Sequence, residues 1–334
     1  MMKNVMTGLL DEIKIGARQT YENMTLFCLL SANCLDDDLV SLDQALENHG
    51  LKISEIDEHG SVPELRIVNP SPKKILIVDG EEVVGAKQNR VVNTTILLAP
   101  ESKTTVPVSC VEEGRWAYRN KHFTSASHSM SAELRRRKTD SVTRNLRRGS
   151  QFEADQAEVW RGIERKYASL AVNQSPTMAM SDLYEWTRPT SNQYLKAFSP
   201  VACQIGIAVL INGEIAGIEV INHFDVFRNN HKKLVHSYVM DAIETSSHNS
   251  GSQLYSPRSK TVKFIDSIKA AGVEKRSSVA LGKDIRLESK KIIGAGLEFG
   301  ESILQLSAFP NSENTSSRRP TNLRRASDRR RRSE

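Results

Sequence analysis

The sequence predicts an α+β fold: a strand-rich N-terminal half, a helical and basic middle, and a second β segment packed with a helix. Three observations carry this. β-Branched runs are broken by Gly, Pro and Asn up to residue 112, helical apolar spacing appears from about residue 150 and again over 232–244, and a Gly-punctuated β pattern covers 285–309. Almost no helix separates the early strands, so they build a sandwich or strongly curved sheet and not a βαβ series.

The elements follow in order. Met24–Leu30 is strand-like, and Ser41 with Gln44 three residues later makes a capping box for a short helix that Gly50 stops. Strands are predicted over 51–56, 64–68, 74–84, 90–99 and 104–112 from their β-branched content. Residues 117–150 are poor in large apolar side chains and carry Arg135, Arg136, Arg137, Lys138, Arg144, Arg147 and Arg148, which predicts a mobile basic loop or short surface helix. Ser150 and Glu153 read as a second capping box, ahead of Phe152, Gln156, Val159, Ile163, Tyr167 and Leu170 at helical spacing. Ile211-Asn212-Gly213 between two apolar runs is a hairpin signal. Asn229 and Asn230 are placed to cap a helix over 232–244, and the Ser-rich 245–260 stretch reads as an exposed loop. One globular domain is expected over 1–310, followed by a disordered Arg-rich tail over 311–334.

Charge locates itself in that tail. The chain of 334 residues carries a formal +6, and residues 318–334 hold eight Arg against Asp328 and Glu334, leaving 38 basic and 38 acidic residues before them. The body is neutral, which argues against a nucleic-acid-binding scaffold; the tail itself suits non-specific contact with nucleic acid or an acidic protein. It has no aromatic residue for stacking on a base. Mean hydropathy is −0.42, and the longest apolar run, 201–211, is too short for a membrane span. Four cysteines without CxxC spacing fit a reducing compartment, and no secretory signal core is visible, so a soluble cytoplasmic protein is expected.

The chemistry-bearing residues concentrate between two apolar strands, in the run Asp79-Gly80-Glu81-Glu82-Val83-Val84-Gly85-Ala86-Lys87-Gln88-Asn89-Arg90, then Val91-Val92-Asn93-Thr94. Period-two alternation directs Arg90 with Val92, Ile96 and Leu98 to a buried face, where a guanidinium needs a carboxylate or a ligand phosphate. A second cluster, Cys110, Glu112, Arg115 and Trp116, ends another strand. Acid–base work needs a carboxylate of raised pKa, and Glu82 and Glu112 are the candidates; Lys87, Arg90 and Arg115 are suited to anionic oxygens. A salt-bridge network bracing a tight turn explains the same pattern equally well. Cys110 reads better as a small buried side chain than as a nucleophile. His223, His231 and His236 lack the spacing of a metal site and read as surface or helix-end histidines. Mg²⁺ held by Glu81, Glu82 or Glu112 stays open.

The stretch from Val78 to Pro100, followed by Val106 to Arg119, resembles the ARG and rhodanese-phosphatase-superfamily-associated protein domain family, where ARG stands for ADP-ribosylglycohydrolase. Supporting matches are residues 41–69, 155–160 and 232–244, so the resemblance spans roughly 20–310. Its motif positions here are Glu81, Glu82, Lys87, Gln88, Asn89, Arg90, Asn93, Cys110, Glu112, Arg115 and Trp116. The Arg-rich tail and the 135–148 stretch look like additions to the pattern. The resemblance implies a link to NAD and ADP-ribose metabolism by association. The expectation is an enzyme hydrolysing a phosphorylated ADP-ribose-type nucleotide. Glu82, Glu112 and Lys87 would be catalytic, with Glu81, Gln88, Asn89, Arg90, Asn93, Arg115 and Trp116 on the substrate. The alternative is a non-catalytic sensor of such a nucleotide.

Overall fold

The computed structural model describes residues 5–57, 63–115, 122–173, 176–246 and 258–311. Helix α1 (Val5–Glu12) leads into β1 (Lys14–Tyr21) and β2 (Met24–Leu30). Then come β3 (Leu39–Ser41), α2 (Leu42–Asn48), β4 (Lys52–Ser54), β5 (Glu64–Asn69), β6 (Lys74–Ile77), β7 (Glu81–Gly85), β8 (Arg90–Val92), β9 (Ile96–Leu98), β10 (Ser102–Cys110) and β11 (Phe123–Ser129). Three helices follow, α3 (Ala132–Arg147), α4 (Gln156–Ser169) and α5 (Met180–Ala197). The chain closes with β12 (Gln204–Ile211), β13 (Glu214–Ile221), α6 (Phe224–Ser246), α7 (Arg258–Lys269), β14 (Gly272–Ser277), β15 (Lys283–Glu288), β16 (Ile292–Phe299) and β17 (Ser302–Pro310). This is the α+β organisation expected.

The strands form three sheets: eight strands in the order β1-β2-β12-β13-β17-β16-β15-β14, six in the order β11-β7-β8-β10-β5-β4, and three in the order β3-β6-β9. In the large sheet, one face packs Phe27, Leu29, Ile205 and Ile285 against α1 and α7, through Met6, Leu10 and Ile268. Its other face packs Ile207, Val209 and Phe309 against Leu234, Tyr238 and Val239 of α6. The six-stranded sheet also uses both faces. Val83, Val92 and Val108 meet Leu42 and Ala45 of α2, while Val91 meets Leu134, Ile163 and Leu183 on α3, α4 and α5.

Local signals that close over a few residues agree with the structure. Ser41 Oγ accepts from Gln44 N, and Gln44 Oε1 accepts from Ser41 N at 3.1 Å, the reciprocal capping box. Asn212 and Gly213, with φ of 51° and 75°, supply the two left-handed residues of the β12–β13 hairpin. The predicted strands over 74–84 and 90–99 each divide in two. Gly80 turns the first at φ +83°, and a Cβ there would lie 2.3 Å from Arg135 Cδ.

The basic middle differs most from expectation. Residues 132–147 are helical, as one of the two expectations had it, but the helix has 16 residues, is capped by Ser131 and is no surface element, because two of its cations are inside. Arg135 is buried against Glu219, and Lys138 against Asp79. The second capping box is absent: Asp155 caps α4, accepting from Glu158 N at 3.0 Å, and Phe152 precedes the helix. Helix α6 begins eight residues before the predicted 232, with His223 Nδ1 accepting from Val226 N at 3.3 Å. Asn230 is therefore no cap: inside the helix, its Nδ2 donates to Val226 O at 2.9 Å. His231 and His236 are buried in α6 rather than at the surface or a helix end. Residues 258–260 of the predicted loop are helical, and 247–257 lie outside the described residues, as do Trp116 and the tail beyond 311. Among the described residues, no helix is long and apolar enough to cross a membrane.

Candidate functional site

Register decides which motif residues meet. Strands β7, β8 and β10 are antiparallel neighbours, with Val83 opposite Arg90 and Arg90 opposite Cys110. The next row is Glu82, Val91 and Ser109. Because side chains alternate along a strand, the two rows face opposite sides of the sheet. Glu82 and Arg90 are thus neighbours in sequence pattern and strangers in space.

On the Arg90 side the charges are turned inward. Arg90 is fully buried; its Nη1 donates to Gln88 Oε1 at 2.8 Å and its Nη2 lies 4.0 Å from Glu55 Oε1. The same Glu55 oxygen accepts from Lys87 N at 3.4 Å. Burial pushes the neighbouring Cys110 thiol up to about 11, with Arg90 opposing and Glu55 reinforcing the shift. Cys110 is therefore a neutral thiol at neutral pH, as suits a packing residue. Its backbone N–H and C=O are both held by the Gln156 side chain at 2.8 Å.

Beside it, Arg115 clamps the turn between β7 and β8. It pairs with Glu112 at 2.7 Å and donates to Ala86 O at 2.8 Å, and to Gly85 O and Asn89 Oδ1 at 3.3 Å each. Glu112 also accepts from Asn89 N at 3.2 Å, and Asn89 Nδ2 donates to Ser181 Oγ at 3.3 Å. The clamp suits the turn's backbone, since Ala86 and Gly85 have φ of 37° and 135°. Asn93 braces elsewhere, accepting from Ser109 Oγ at 2.8 Å and donating to Phe152 O at 3.0 Å.

Glu81 belongs to a third group. One of its oxygens accepts from Val78 N at 2.8 Å, and the other from Lys233 Nζ at 2.9 Å. Lys233 also reaches Asp43 at 2.5 Å and Ser125 Oγ at 2.7 Å. Burial works to lower the Lys233 pKa, but Glu81 and Asp43 outweigh it and hold the ammonium charged.

Glu82 stands apart. One carboxylate oxygen lies 2.7 Å from His128 Nε2, and the other, Oε1, is buried with no hydrogen-bond partner among the described residues. The His128 ring stacks on Tyr184, with centroids 3.7 Å apart and planes inclined by 16°. Tyr184 is anchored by its hydroxyl, which donates to Ser129 O at 2.6 Å. His236 meets both rings edge-on, at 6.0 Å from His128 and 4.9 Å from Tyr184. Burial, then His128, pushes the His236 pKa down to about 4, with the Ser127 backbone opposing, so it is a neutral imidazole at pH 7. Four elements converge here: β7, β11, α5 and α6.

The sequence motif therefore resolves into separate clusters, and among the described residues it is Glu82 that meets His128. His128, Tyr184, Glu55, Gln156 and Ser181 were missed. His128 and Tyr184 come from the segment read as basic loop and from a helix not foreseen, so no spacing rule links them to Glu82. Among the described residues, no three His, Cys, Asp or Glu side chains are arranged to hold a metal ion.

No curated protein and no solved structure matches the chain. Residues 12–309 match the ARG and rhodanese-phosphatase-superfamily-associated protein domain, a span that includes the whole motif and runs across the basic helix α3. On that match the chain belongs to the ARG and rhodanese-phosphatase-superfamily-associated protein domain family.

Proposed function

We propose that the chain is a hydrolase of a phosphorylated ADP-ribose-type nucleotide, with Glu82 and His128 as its acid–base pair. The observation that carries this reading is the Glu82 carboxylate: fully buried, one oxygen 2.7 Å from His128 Nε2, and the other without a partner among the described residues. A buried unpaired carboxylate oxygen costs stability and is free to receive a proton. In this reading the pair takes a proton from an attacking water and returns one to the departing oxygen. Tyr184 fixes the plane of His128, and neutral His236 borders the pair. His128 and His236 retain 6% and 8% exposure beside a Glu82 that has none, which supports an approach from their side. The substrate class rests on the family's named association with ADP-ribosylglycohydrolase. Arg90 and Arg115 act on the turn, since their guanidinium groups already face protein acceptors.

The test is chromatographic, on purified protein incubated with NAD, ADP-ribose and ADP-ribose phosphates, with and without Mg²⁺. Glu82→Gln and His128→Asn are expected to lose turnover by about 100-fold or more while keeping the native circular dichroism. Full turnover by Glu82→Gln overturns the assignment. The near-closure of the Glu82 group favours one other reading, a sensor. Tight binding of the same nucleotides, unconverted by wild type and Glu82→Gln alike, selects it.

A further inference from the structure

Two of the four cysteines, 169 positions apart, are brought to one crossing of the chain. Strand β2 ends at Leu30 opposite Gln204, the first residue of β12, and Ser31 N donates to Cys203 O at 3.1 Å. The chain then turns at Ser31, whose Oγ accepts from Asn33 N at 3.2 Å, and Leu35 N donates to Asn222 O at 3.0 Å. Asn222 follows β13, which lies on the far side of β12 from β2. Residues 31–35 therefore cross the end of β12, which brings the Cys34 thiol within electrostatic reach of Cys203. Cys203 is exposed and holds a left-handed φ of 59°, while Cys34 is half-buried. The other two, Cys28 and Cys110, are buried.

We propose that Cys34 and Cys203 form a reversible disulfide, closed by a hydroperoxide, that staples this crossing to β12. The division of labour follows from their surroundings. Burial pushes the Cys34 thiol up; the Phe224 backbone opposes this, and Asp36, Asp225 and Cys203 reinforce it. Exposed Cys203 is therefore the attacking thiol and Cys34 the resolving one. Cys203 sulfur attacks the hydroperoxide O–O bond, releasing one oxygen as alcohol or water and becoming a sulfenic acid. Cys34 sulfur then displaces the sulfenic oxygen, which leaves as water with the Cys34 proton. Two thiols lose two electrons and two protons, and the hydroperoxide accepts both. The crossing also secures the start of α6, where the His223 ring bonds Asp37 O at 3.1 Å, so the staple stiffens the entry to the helix that carries Lys233 and His236.

The experiment treats the reduced full chain with a small excess of hydrogen peroxide and counts thiols after unfolding, followed by peptide mass spectrometry. Titratable thiols are expected to fall from four to two, with a Cys34–Cys203 linked peptide that a dithiol reductant reopens. Cys34→Ser is expected to stop at a Cys203 sulfenic acid trapped by a cyclic dione, and Cys203→Ser to keep all three remaining thiols. The proposal is overturned if wild type keeps all four thiols. It is equally overturned if Cys203 oxidises or links to a second copy while Cys34 stays free.

Discussion

At the scale of single residues, the interior titratable groups are the sharpest handle. His231 lies inside α6, edge-on to Phe227 at 5.7 Å, and burial pushes its pKa from 6.5 down to about 4. Between those values the unfolded chain binds a proton that the folded chain refuses. The stability contributed by neutral His231 is therefore complete above about pH 6.5 and is lost as pH falls toward 4, at about 1.4 kcal/mol per pH unit. His231→Gln removes that proton uptake. The stability gap between wild type and variant, read by urea denaturation, is expected to move against wild type by about 2 kcal/mol from pH 7 to pH 5. A gap that does not change with pH would show an imidazole that titrates normally. Comparing the two proteins cancels groups such as Asp241, whose raised pKa acts in the opposite sense. Residue identity was legible in the sequence where one strand's alternation sufficed, as for buried Arg90 and Cys110. The partners were not, because Glu55 reaches Arg90 from just past β4 and His128 reaches Glu82 from β11, and no local pattern specifies how those strands align.

At the scale of elements, composition misled where charges are paired inside. Residues 132–147 look like solvent-exposed helix or loop until Glu219 and Asp79, distant in sequence, are seen to neutralise Arg135 and Lys138. Short-range chemistry is read more safely than composition because its partners lie within a turn, as the Ser41–Gln44 box and the Asn212-Gly213 hairpin show. It still fails when tertiary bonds compete. Asn145 Nδ2 holds Glu153 O at 2.9 Å and Ser141 Oγ holds Asp155 N at 2.7 Å, which keeps 151–155 out of the helix. The start of α4 thus belongs to Asp155, and Asp155→Ala is expected to cost about 1 kcal/mol in urea denaturation. Ser150→Ala is expected to stay within about 0.5 kcal/mol of wild type. The reverse ranking would place the helix start at the sequence-predicted box.

At the scale of the molecule, a polar seam joins the sheets beside the apolar packing of Leu76 and Leu97 with Ile293 and Leu297. Alternate residues on one face of the eight-stranded sheet read Glu219, Asp284, Arg286, Gln305 and Ser307, all buried. They meet the rest of the chain through hydrogen bonds: Thr94 Oγ1 to Asp284 at 2.9 Å, Thr95 Oγ1 to Gln305 at 2.9 Å, and Arg135 to Glu219 at 2.5 Å and to Ser237 at 3.0 Å. Tyr238 OH donates to the same Glu219 oxygen at 2.9 Å. Burial disfavours the Arg135 charge, but Glu219 outweighs it and holds the guanidinium protonated. Such a seam fixes how the parts dock, because any slip strands a charge away from water. Removing one member should therefore cost far more than one hydrogen bond. Glu219→Gln, which leaves Arg135 buried without its counter-charge, is expected to lose about 3–5 kcal/mol. Replacing both, with Arg135→Met and Glu219→Leu, is expected to recover part of that loss, since apolar residues substitute for the buried pair but the Tyr238 and Ser307 hydroxyls lose their Glu219 acceptor. Because the seam links α3 to β13, circular dichroism and Trp fluorescence should report one coincident transition in all three proteins. Separate transitions, or a single variant as stable as wild type, would show that the sheets dock by apolar contact and that the seam adds nothing to their cohesion.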